Sequence, residues 1–356
     1  MRIIVSAGGT GGHIYPALAI IKEFEKNDKD LSVLFIGTHN RMENQIIPEH
    51  NIPYKAIEIY GFSKKLIGRN IKNLYLIVKS YEDCIKIMKD FKPDAVIGVG
   101  GYVTLPVIMA AKKLNVKTYI HEQNSIPGKT NKFLSRGVNT VFTSFESSNK
   151  YFEDANVYCT GNPSGDNVNN LKPIKKESLG FKKNKKFVLI TSGSLGSSVL
   201  NEKLIDYVNS IEDYEALMIT GESNYEDVKN KVKNDNVVVM PYLEGQAGLI
   251  KNADVIISRA GATTLAEIIN ANIPSILIPS PYVADNHQYY NAKDISDLGG
   301  AIMIEEKDLS TELLQDNVDK LLTDKVLYNN MKNKLEFISI KDSSKKIYDE
   351  IRRQYE

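Results

Sequence analysis

The chain has 356 residues, 42% of them hydrophobic and 25% charged, with a formal net charge of +1. That length accommodates about two domains of ordinary size, and the near-zero charge excludes a global attraction to nucleic acid, so no nucleic-acid partner is expected and any basic surface is local. The two cysteines, Cys84 and Cys159, are far apart and in no metal or CxxC spacing, which reads as small buried residues in a reducing cytosol.

In chain order the first strand is Arg2–Ser6, which runs at once into the glycine turn and helical pattern of "SAGGTGGHIYPALAI". The early break into glycine after Ala7 leaves no signal-peptide core, and no apolar run is long enough to cross a bilayer, so a cytoplasmic protein is expected. Further strands are predicted at Ser32–Ile36, Asp94–Val99, Lys117–Ile120 and Thr140–Thr143, then at Phe187–Thr191, Ala216–Thr220, Val237–Met240, Val255–Ser258 and Ser275–Ile278. Most are continuous apolar runs, as strands covered on both faces are. The helical patterns between them imply βαβ units and parallel sheets.

Within "FSKKLIGRNIKNLYLIVK", residues 62–79, Ile71, Leu74, Tyr75 and Val78 fall on one helical face and read as core. Phe62, Leu66 and Ile67, with Lys64, Lys65, Arg69, Lys72 and Lys79 nearby, fit an interfacial membrane patch or an ordinary half-buried helix and loop. "GNPSGDNVNNLKPIKKESLGFKKNKK" is rich in Gly, Asn, Pro and Lys and marks a domain boundary near Gly161–Gly165, its lysines read as solvated surface. From about Ser339 to Glu356 the chain reads as a charged amphipathic helix.

The two halves echo each other. Each opens with a strand and a glycine turn ("IIVSAGGTGGH", "VLITSGSLGSS"), and each repeats the device later ("AVIGVGGYVTLPV", "VIISRAGATTLAEI"). The expected fold is α/β: two Rossmann-like domains, about 1–162 and 166–338, with parallel sheets facing an interdomain cleft and ligands at the carboxyl ends of the strands.

A dinucleotide fingerprint fails, because the third glycine counted from Gly9 and Gly11 is replaced by Ile14 and no acidic residue ends the second strand, "FIGTHN". No P-loop occurs. What remains is general: glycines admit a phosphate to the backbone, and a following helix offers unpaired N–H groups. Gly8–Gly12, Gly100–Gly101, Gly193–Gly196 and Ala260–Ala262 all follow strands, and a sugar nucleotide would use several of them, with "GSLG" and its Ser194 as the diphosphate cradle. His13, at the mouth of the first turn, is suited to accept a proton from an attacking hydroxyl or simply to cap the first helical turn. Glu267 is placed to bind ribose hydroxyls or to lie on the surface near a helix N-terminus. "DNHQYYNA", residues 285–292, gathers amide and imidazole groups suited to sugar hydroxyls, with a helix cap by Asp285 as the plain alternative. The five histidines form no HxxxH or HExxH pair and the one DxD, Asp28–Asp30, sits in a charged loop, so no metal or other cofactor is expected.

"GGTGGHIYPALAI", "GVGGYVTLP", "HEQNSIPGKTN", "TGNP", "SRAGATTLAEI" and "DNHQYYNA", in this order, resemble the MurG family of N-acetylglucosaminyltransferases, nearly end to end. The resemblance implies a GT-B fold, UDP-N-acetylglucosamine as donor, an undecaprenyl-diphosphate-linked muramoyl-pentapeptide (lipid I) as acceptor, lipid II as product for peptidoglycan synthesis, and inversion at the anomeric carbon without a metal. It also implies a C-terminal helix that returns to the first domain, and a peripheral place on the anionic cytoplasmic face of the cell membrane. Carried over by position, Thr10, Gly11 and Gly12 lie where donor meets acceptor, His13 is the general-base candidate, and Asn124 contacts the transferred sugar. Ser194 binds diphosphate and Leu243 meets uracil through its backbone. Ala262, Thr263, Thr264, Leu265 and Ala266 hold phosphate and ribose, Glu267 takes the ribose hydroxyls, and Gln288 reads the sugar. The family's arginine two residues after GNP is replaced by Gly165, with Arg259 or a nearby lysine as the expected substitute, and its GGS turn begins here with Ser192. The alternatives are another GT-B UDP-sugar transferase with a different lipid or small acceptor, and a nucleotide-sugar-binding module without catalysis.

Overall fold

The computed structural model describes residues 1–61, 67–193 and 196–356, residues 67–71 by their backbone alone. The chain divides into two units, Met1–Pro163 together with Asp342–Glu356, and Ser164–Lys341.

The first unit runs β1 (Arg2–Ala7), α1 (Gly11–Asn27), β2 (Ser32–Thr38), α2 (Glu43–Glu49), β3 (Tyr54–Ile57), α3 (Ile67–Phe91), β4 (Ala95–Gly100), α4 (Thr104–Lys113), β5 (Lys117–Glu122), α5 (Lys129–Leu134), β6 (Thr140–Thr143) and β7 (Val157–Cys159). Its described strands form one parallel sheet in the order β3-β2-β1-β4-β5-β6-β7. β4 is buried along its whole length and β1 everywhere but Arg2, because helices cover both faces. The second unit runs α6 (Asn167–Asn170), β8 (Phe187–Thr191), α7 (Ser198–Asn209), β9 (Glu215–Ile219), α8 (Tyr225–Lys231), β10 (Val237–Met240), α9 (Ala247–Ile250), β11 (Val255–Ser258), α10 (Ala262–Ala271), β12 (Ser275–Leu277), α11 (His287–Asp297), β13 (Ile302–Met303), α12 (Thr311–Thr323) and α13 (Lys325–Ile338). Its sheet is also parallel, in the order β10-β9-β8-β11-β12-β13.

The last helix, α14 (Ser343–Tyr355), belongs to the first unit. Ile347 and Ile351, one turn apart, are fully buried in the cluster that holds Ile14, Ile21 and Phe24. Tyr348 meets Phe24 edge-on at 4.9 Å, and the Gln354 amide donates to Thr140 Oγ1 at 2.8 Å.

Each strand anticipated from the sequence is present to within two residues, and among the described residues three further strands appear: β3, β7 and β13. All three lie at sheet edges. Their residues are largely half-buried, so they lack the continuous apolar run of a central strand. The helical face read as core in α3 is corrected. Leu74, Tyr75 and Val78 are 56%, 68% and 58% exposed. Among the described side chains of α3 the buried ones are Asn73, Leu76, Ser80, Cys84 and Met88. Asn73 takes the Tyr60 N–H on its Oδ1 and donates to the Tyr60 carbonyl, and Ser80 Oγ donates to the Glu58 carbonyl at 3.0 Å. Two polar residues with satisfied hydrogen bonds thus hold core positions that a hydrophobicity pattern assigns to the surface. Phe62, Lys64, Lys65 and Leu66 lie outside the described residues, and so do the side chains of Ile67, Arg69 and Ile71.

Candidate functional site

In both sheets the strand order reverses beside the first strand, between β1 and β4 and between β8 and β11. Loops from the two strands flanking a reversal turn to opposite faces and leave a crevice at the carboxyl edge, where ligands of doubly wound folds bind. The four glycine turns of the sequence are the loops at these two points: Gly8–Gly12 and Gly100–Gly101 in the first unit, Gly193–Gly196 and Ala260–Ala262 in the second.

In the first unit the turns interlock through backbone. Gly8 N–H donates to the Gly100 carbonyl at 3.2 Å. Gly9, Gly100 and Gly101 have φ of +99°, +117° and +87°, where a side chain is strained, and a Cβ on Gly101 would stand 2.5 Å from the Gly8 oxygen. Thr10 is the exposed N-cap residue of α1, and Gly11 and Gly12 form its first turn, where amides have no partner within the helix. The His13 ring lies against Gly100, whose absent side chain makes room for it. His13 Nδ1 is 2.9 Å from the Gly8 carbonyl oxygen. A carbonyl has no proton to give, so the contact puts the proton on Nδ1 and leaves Nε2 as the acceptor, the form a general base needs.

Asn124 follows β5. Its side-chain amide and its backbone N–H both donate to Glu122 Oε1, at 3.2 and 3.0 Å, while Gly128 N–H and Asn131 Nδ2 donate to Oε2 at 3.1 and 2.9 Å. The buried Glu122 carboxylate therefore sets the loop that carries Asn124. Beside it His121 is fully buried, and burial pushes its imidazole down to about 4, so it is neutral at physiological pH. It donates from Nε2 to the Gly161 carbonyl at 3.1 Å and accepts the Gln123 amide on Nδ1 at 2.9 Å. Within the motif "HEQN", Glu122 holds the half-buried Asn124, while His121 and Gln123 are buried and tied to neighbouring backbone. Glu43, on α2, is a second buried carboxylate, under the Gly8–Gly9 turn; among its donors is Gly9 N–H at 3.1 Å.

In the second unit, Ala262, Thr263, Thr264, Leu265, Ala266 and Glu267 form the first turns of α10, with Gly261 as N-cap residue. Thr263 Oγ1 is buried at this helix start and has no hydrogen-bond partner among the described residues. Glu267 is half-buried, and the protein around it desolvates its carboxyl and pushes it up to about 8. Gln288 lies in the first turn of α11; its Oε1 accepts the Ser280 N–H at 2.9 Å, so the face it offers is its amide NH2. The same helix is tied to the turn before α10 by Asn291 Nδ2, which donates to the Ala260 carbonyl at 3.2 Å. Asp285 is not the cap of α11; Asn286 holds that position, and both have φ of +51°. Leu243 follows β10 at the sheet edge, separated from β11 by β9 and β8, so it is on the same carboxyl edge but not beside the α10 turn. Its carbonyl accepts the Gln246 N–H at 3.3 Å. Ser194 lies outside the described residues. Its neighbours are fixed: Gly193 and Gly196 have φ of +85° and +72°, and a Cβ on Gly196 would stand 2.2 Å from the Thr220 oxygen. Ser192 donates to Asn201 Oδ1 at 2.8 Å, which ties the start of the turn to α7.

Arg259, the expected substitute for the arginine missing at Gly165, is already engaged within the second unit. It is 5% exposed and paired with Glu306, and it donates to the Ile278 and Pro279 carbonyls and to Ser197 Oγ at 3.2, 3.4 and 2.9 Å. Ser197 caps α7, accepting the Leu200 N–H, so Arg259 braces the second unit's two switch-point turns against each other. Gly165 has a packing reason of its own. A Cβ there would lie 2.3 Å from Asn270 Nδ2 and 3.0 Å from the Ala266 carbonyl oxygen. Asp28 of the DxD pair binds the N-terminal ammonium at 2.6 Å, which holds its carboxyl below the usual range. Among the described residues no cluster of three His, Cys, Asp or Glu side chains has metal-binding geometry.

The chain matches two family models, the glycosyltransferase family 28 N-terminal domain over residues 3–143 and the family's C-terminal domain over residues 187–350. Among curated proteins it is 44% identical over 98% of both chains to a UDP-N-acetylglucosamine--N-acetylmuramyl-(pentapeptide) pyrophosphoryl-undecaprenol N-acetylglucosamine transferase of Bacillus cytotoxicus. It is 43% identical to the Bacillus licheniformis protein of the same name, over 98% of this chain and 97% of that one. Among solved structures it resembles Acinetobacter baumannii MurG, with 28% identity, a TM-score of 0.78 and 99% of each chain covered. The UDP-GlcNAc 2-epimerase of Neisseria meningitidis, solved with UDP-GlcNAc bound, shares the fold at 16% identity and a TM-score of 0.72, covering 99% of this chain and all of that one.

Proposed function

The chain belongs to glycosyltransferase family 28, and from that premise we infer that it transfers N-acetylglucosamine from UDP-N-acetylglucosamine to the muramoyl sugar of lipid I, giving lipid II for peptidoglycan synthesis. The observation that carries this reading is the end-to-end likeness to transferases named for that reaction, joined to a switch point in each unit lined with the residue types the reaction needs.

In the proposed mechanism the acceptor hydroxyl attacks the anomeric carbon from the face opposite the diphosphate. A carbon–oxygen bond forms, the bond to the phosphate oxygen breaks, and UDP leaves with the electron pair, so the configuration inverts. The hydroxyl proton passes to His13 Nε2, which the Gly8 carbonyl leaves unprotonated. Such proton transfer contributes on the order of 10²–10⁴-fold in rate. Charge grows on the departing diphosphate, and amides at a helix start stabilise that charge more in the transition state than in the ground state. The α10 turn from Ala262 to Ala266, the Thr263 hydroxyl and Ser194 serve this role. Glu267 takes the ribose hydroxyls, Leu243 the uracil through its backbone, and Gln288 and Asn124 the hydroxyls of the transferred sugar. Thr10, Gly11 and Gly12 receive the acceptor.

The acceptor is a lipid, so the enzyme works as a peripheral protein at the anionic cytoplasmic face of the membrane. Among the described residues no helix is long and apolar enough to span a bilayer. What supports a surface contact is the exposed set Leu74, Tyr75 and Val78 on α3, flanked by the exposed Lys72 and Lys79. The test is UDP release from UDP-N-acetylglucosamine with and without a lipid I analogue. Release that requires the analogue is the expected result; tight UDP-sugar binding with no release under any acceptor would replace the enzyme by a binding module.

A further inference from the structure

Glu43 is fully buried on α2, and nothing in the transfer chemistry above uses it. Three donors converge on its carboxylate: Thr38 N–H at 3.1 Å and Thr38 Oγ1 at 2.6 Å on Oε1, and Gly9 N–H at 3.1 Å on Oε2. The Gly9 N–H and the Gly8 carbonyl are the two ends of one peptide group. That carbonyl accepts the His13 Nδ1 proton at 2.9 Å. A continuous line therefore runs from imidazole to carbonyl, through the peptide to its N–H, and on to the carboxylate.

We propose that Glu43 is a positioning residue for the His13 base, acting on the imidazole through the Gly8–Gly9 peptide. This rests on the assignment of His13 as proton acceptor. The carboxylate polarises the peptide that it holds, which makes the Gly8 oxygen a stronger acceptor. A stronger acceptor at Nδ1 holds the ring in the tautomer with Nε2 open, and it stabilises the imidazolium formed when Nε2 takes the acceptor's proton. A carboxylate does this work directly in the Ser-His-Asp arrangement and in histidine metal ligands. Here a peptide group stands between the two side chains.

The site is built for this contact. A Cβ on Gly8 would stand 2.7 Å from Glu43 Oε1, and one on Gly37 2.7 Å from Glu43 Cγ, so both glycines make room for the carboxylate. Two titratable groups near the pair, Tyr54 and His121, are uncharged. Tyr54, on β3, is raised by burial and by the Glu43 charge, and it donates to the Thr38 carbonyl at 2.6 Å. His121, on β5, is held neutral by burial.

The experiment is a kinetic cycle on the full-length chain with UDP-N-acetylglucosamine and a lipid I analogue, alongside ¹⁵N NMR of the His13 ring. Glu43→Gln is expected to lower kcat about 10- to 100-fold with the donor KM unchanged, within the range for general acid–base groups. His13→Ala is expected to cost at least as much, and adding Glu43→Gln to it is expected to change the rate less than about twofold, because groups acting as a unit are not additive. The ring of the unmodified protein is expected as the Nδ1–H tautomer, and that of Glu43→Gln as a mixture of tautomers. Glu43→Asp, which keeps the charge but shortens the reach, is expected to fall between and supplies the comparison if Glu43→Gln does not fold. Additive losses in the cycle, or an unchanged His13 tautomer in both variants, would overturn the proposal. If His13→Ala keeps the full rate, the base assignment fails instead, and the ring spectra still decide whether Glu43 acts on the imidazole.

Discussion

At Glu267 the protein holds a carboxyl where its ionisation is penalised, and the sign of that penalty gives a prediction. Desolvation raises the group from the usual carboxylate range to about 8. Below the unfolded value the group is protonated in both states and costs nothing. Between there and pH 8 the unfolded chain ionises it while the folded protein does not, so stability falls as pH rises through that window. Glu267→Gln is therefore expected to raise Tm at pH 8 by a few degrees, at roughly 2–4 °C per kcal/mol for domains of this size, and to leave it unchanged near pH 4. The same variant is expected to weaken UDP binding about tenfold through loss of a ribose contact. Melting curves at both pH values and a UDP titration check both halves. Gly165 is the converse case, a residue set by packing. Gly165→Arg is expected to lower stability by about 1–3 kcal/mol, because Asn270 and the Ala266 carbonyl occupy the space, and to give no gain in donor affinity. Asn270→Ala in the same chain should recover part of the loss. An arginine that leaves Tm unchanged and tightens UDP binding would show that the missing cation, not the packing, governs this position.

Among the elements, α3 carries the clearest separation between pattern and placement. Its apolar residues at Leu74, Tyr75 and Val78 face outward, and its core positions include Asn73 and Ser80. Serine at all three mostly exposed positions removes little buried area, so Tm is expected to stay within about 1–2 °C, since surface changes are worth roughly half a kcal/mol or less. Co-sedimentation with vesicles containing anionic lipid is expected to fall several-fold. Unchanged sedimentation would remove α3 from the membrane contact. The edge strands teach a related point. β3, β7 and β13 pair with one neighbour each, and their residues are largely half-buried. A strand under those conditions is free to vary its residues, so it leaves little mark on the sequence. The central strands β1, β4, β8 and β11 have no such freedom, and each reads as an apolar run.

For the molecule as a whole, the repeated strand order explains why the two halves of the sequence echo each other. The same reversal occurs in each sheet, and each needs close backbone turns after its first and fourth strands. Because the donor contacts assigned here lie mainly in Ser164–Lys341, UDP is expected to stabilise that unit by mass action, about 2.7 kcal/mol at a hundred times Kd. Calorimetry with increasing UDP is expected to move one transition upward, with hydrogen exchange placing it in residues 164–341; equal shifts throughout the chain would argue against that assignment. The sequence by itself determined the α/β class, the parallel central strands and the positions of the glycine turns. These follow from local demands, since a strand covered on both faces is apolar along most of its length and a tight turn at positive φ favours glycine. Only the tertiary structure decided the edge strands, the outward face of α3, the engagement of Arg259 with Glu306, and the carboxylate of Glu43 under a peptide 34 residues away. Those depend on partners brought together by folding, and one glutamate or arginine in a sequence carries no sign of which group will stand beside it.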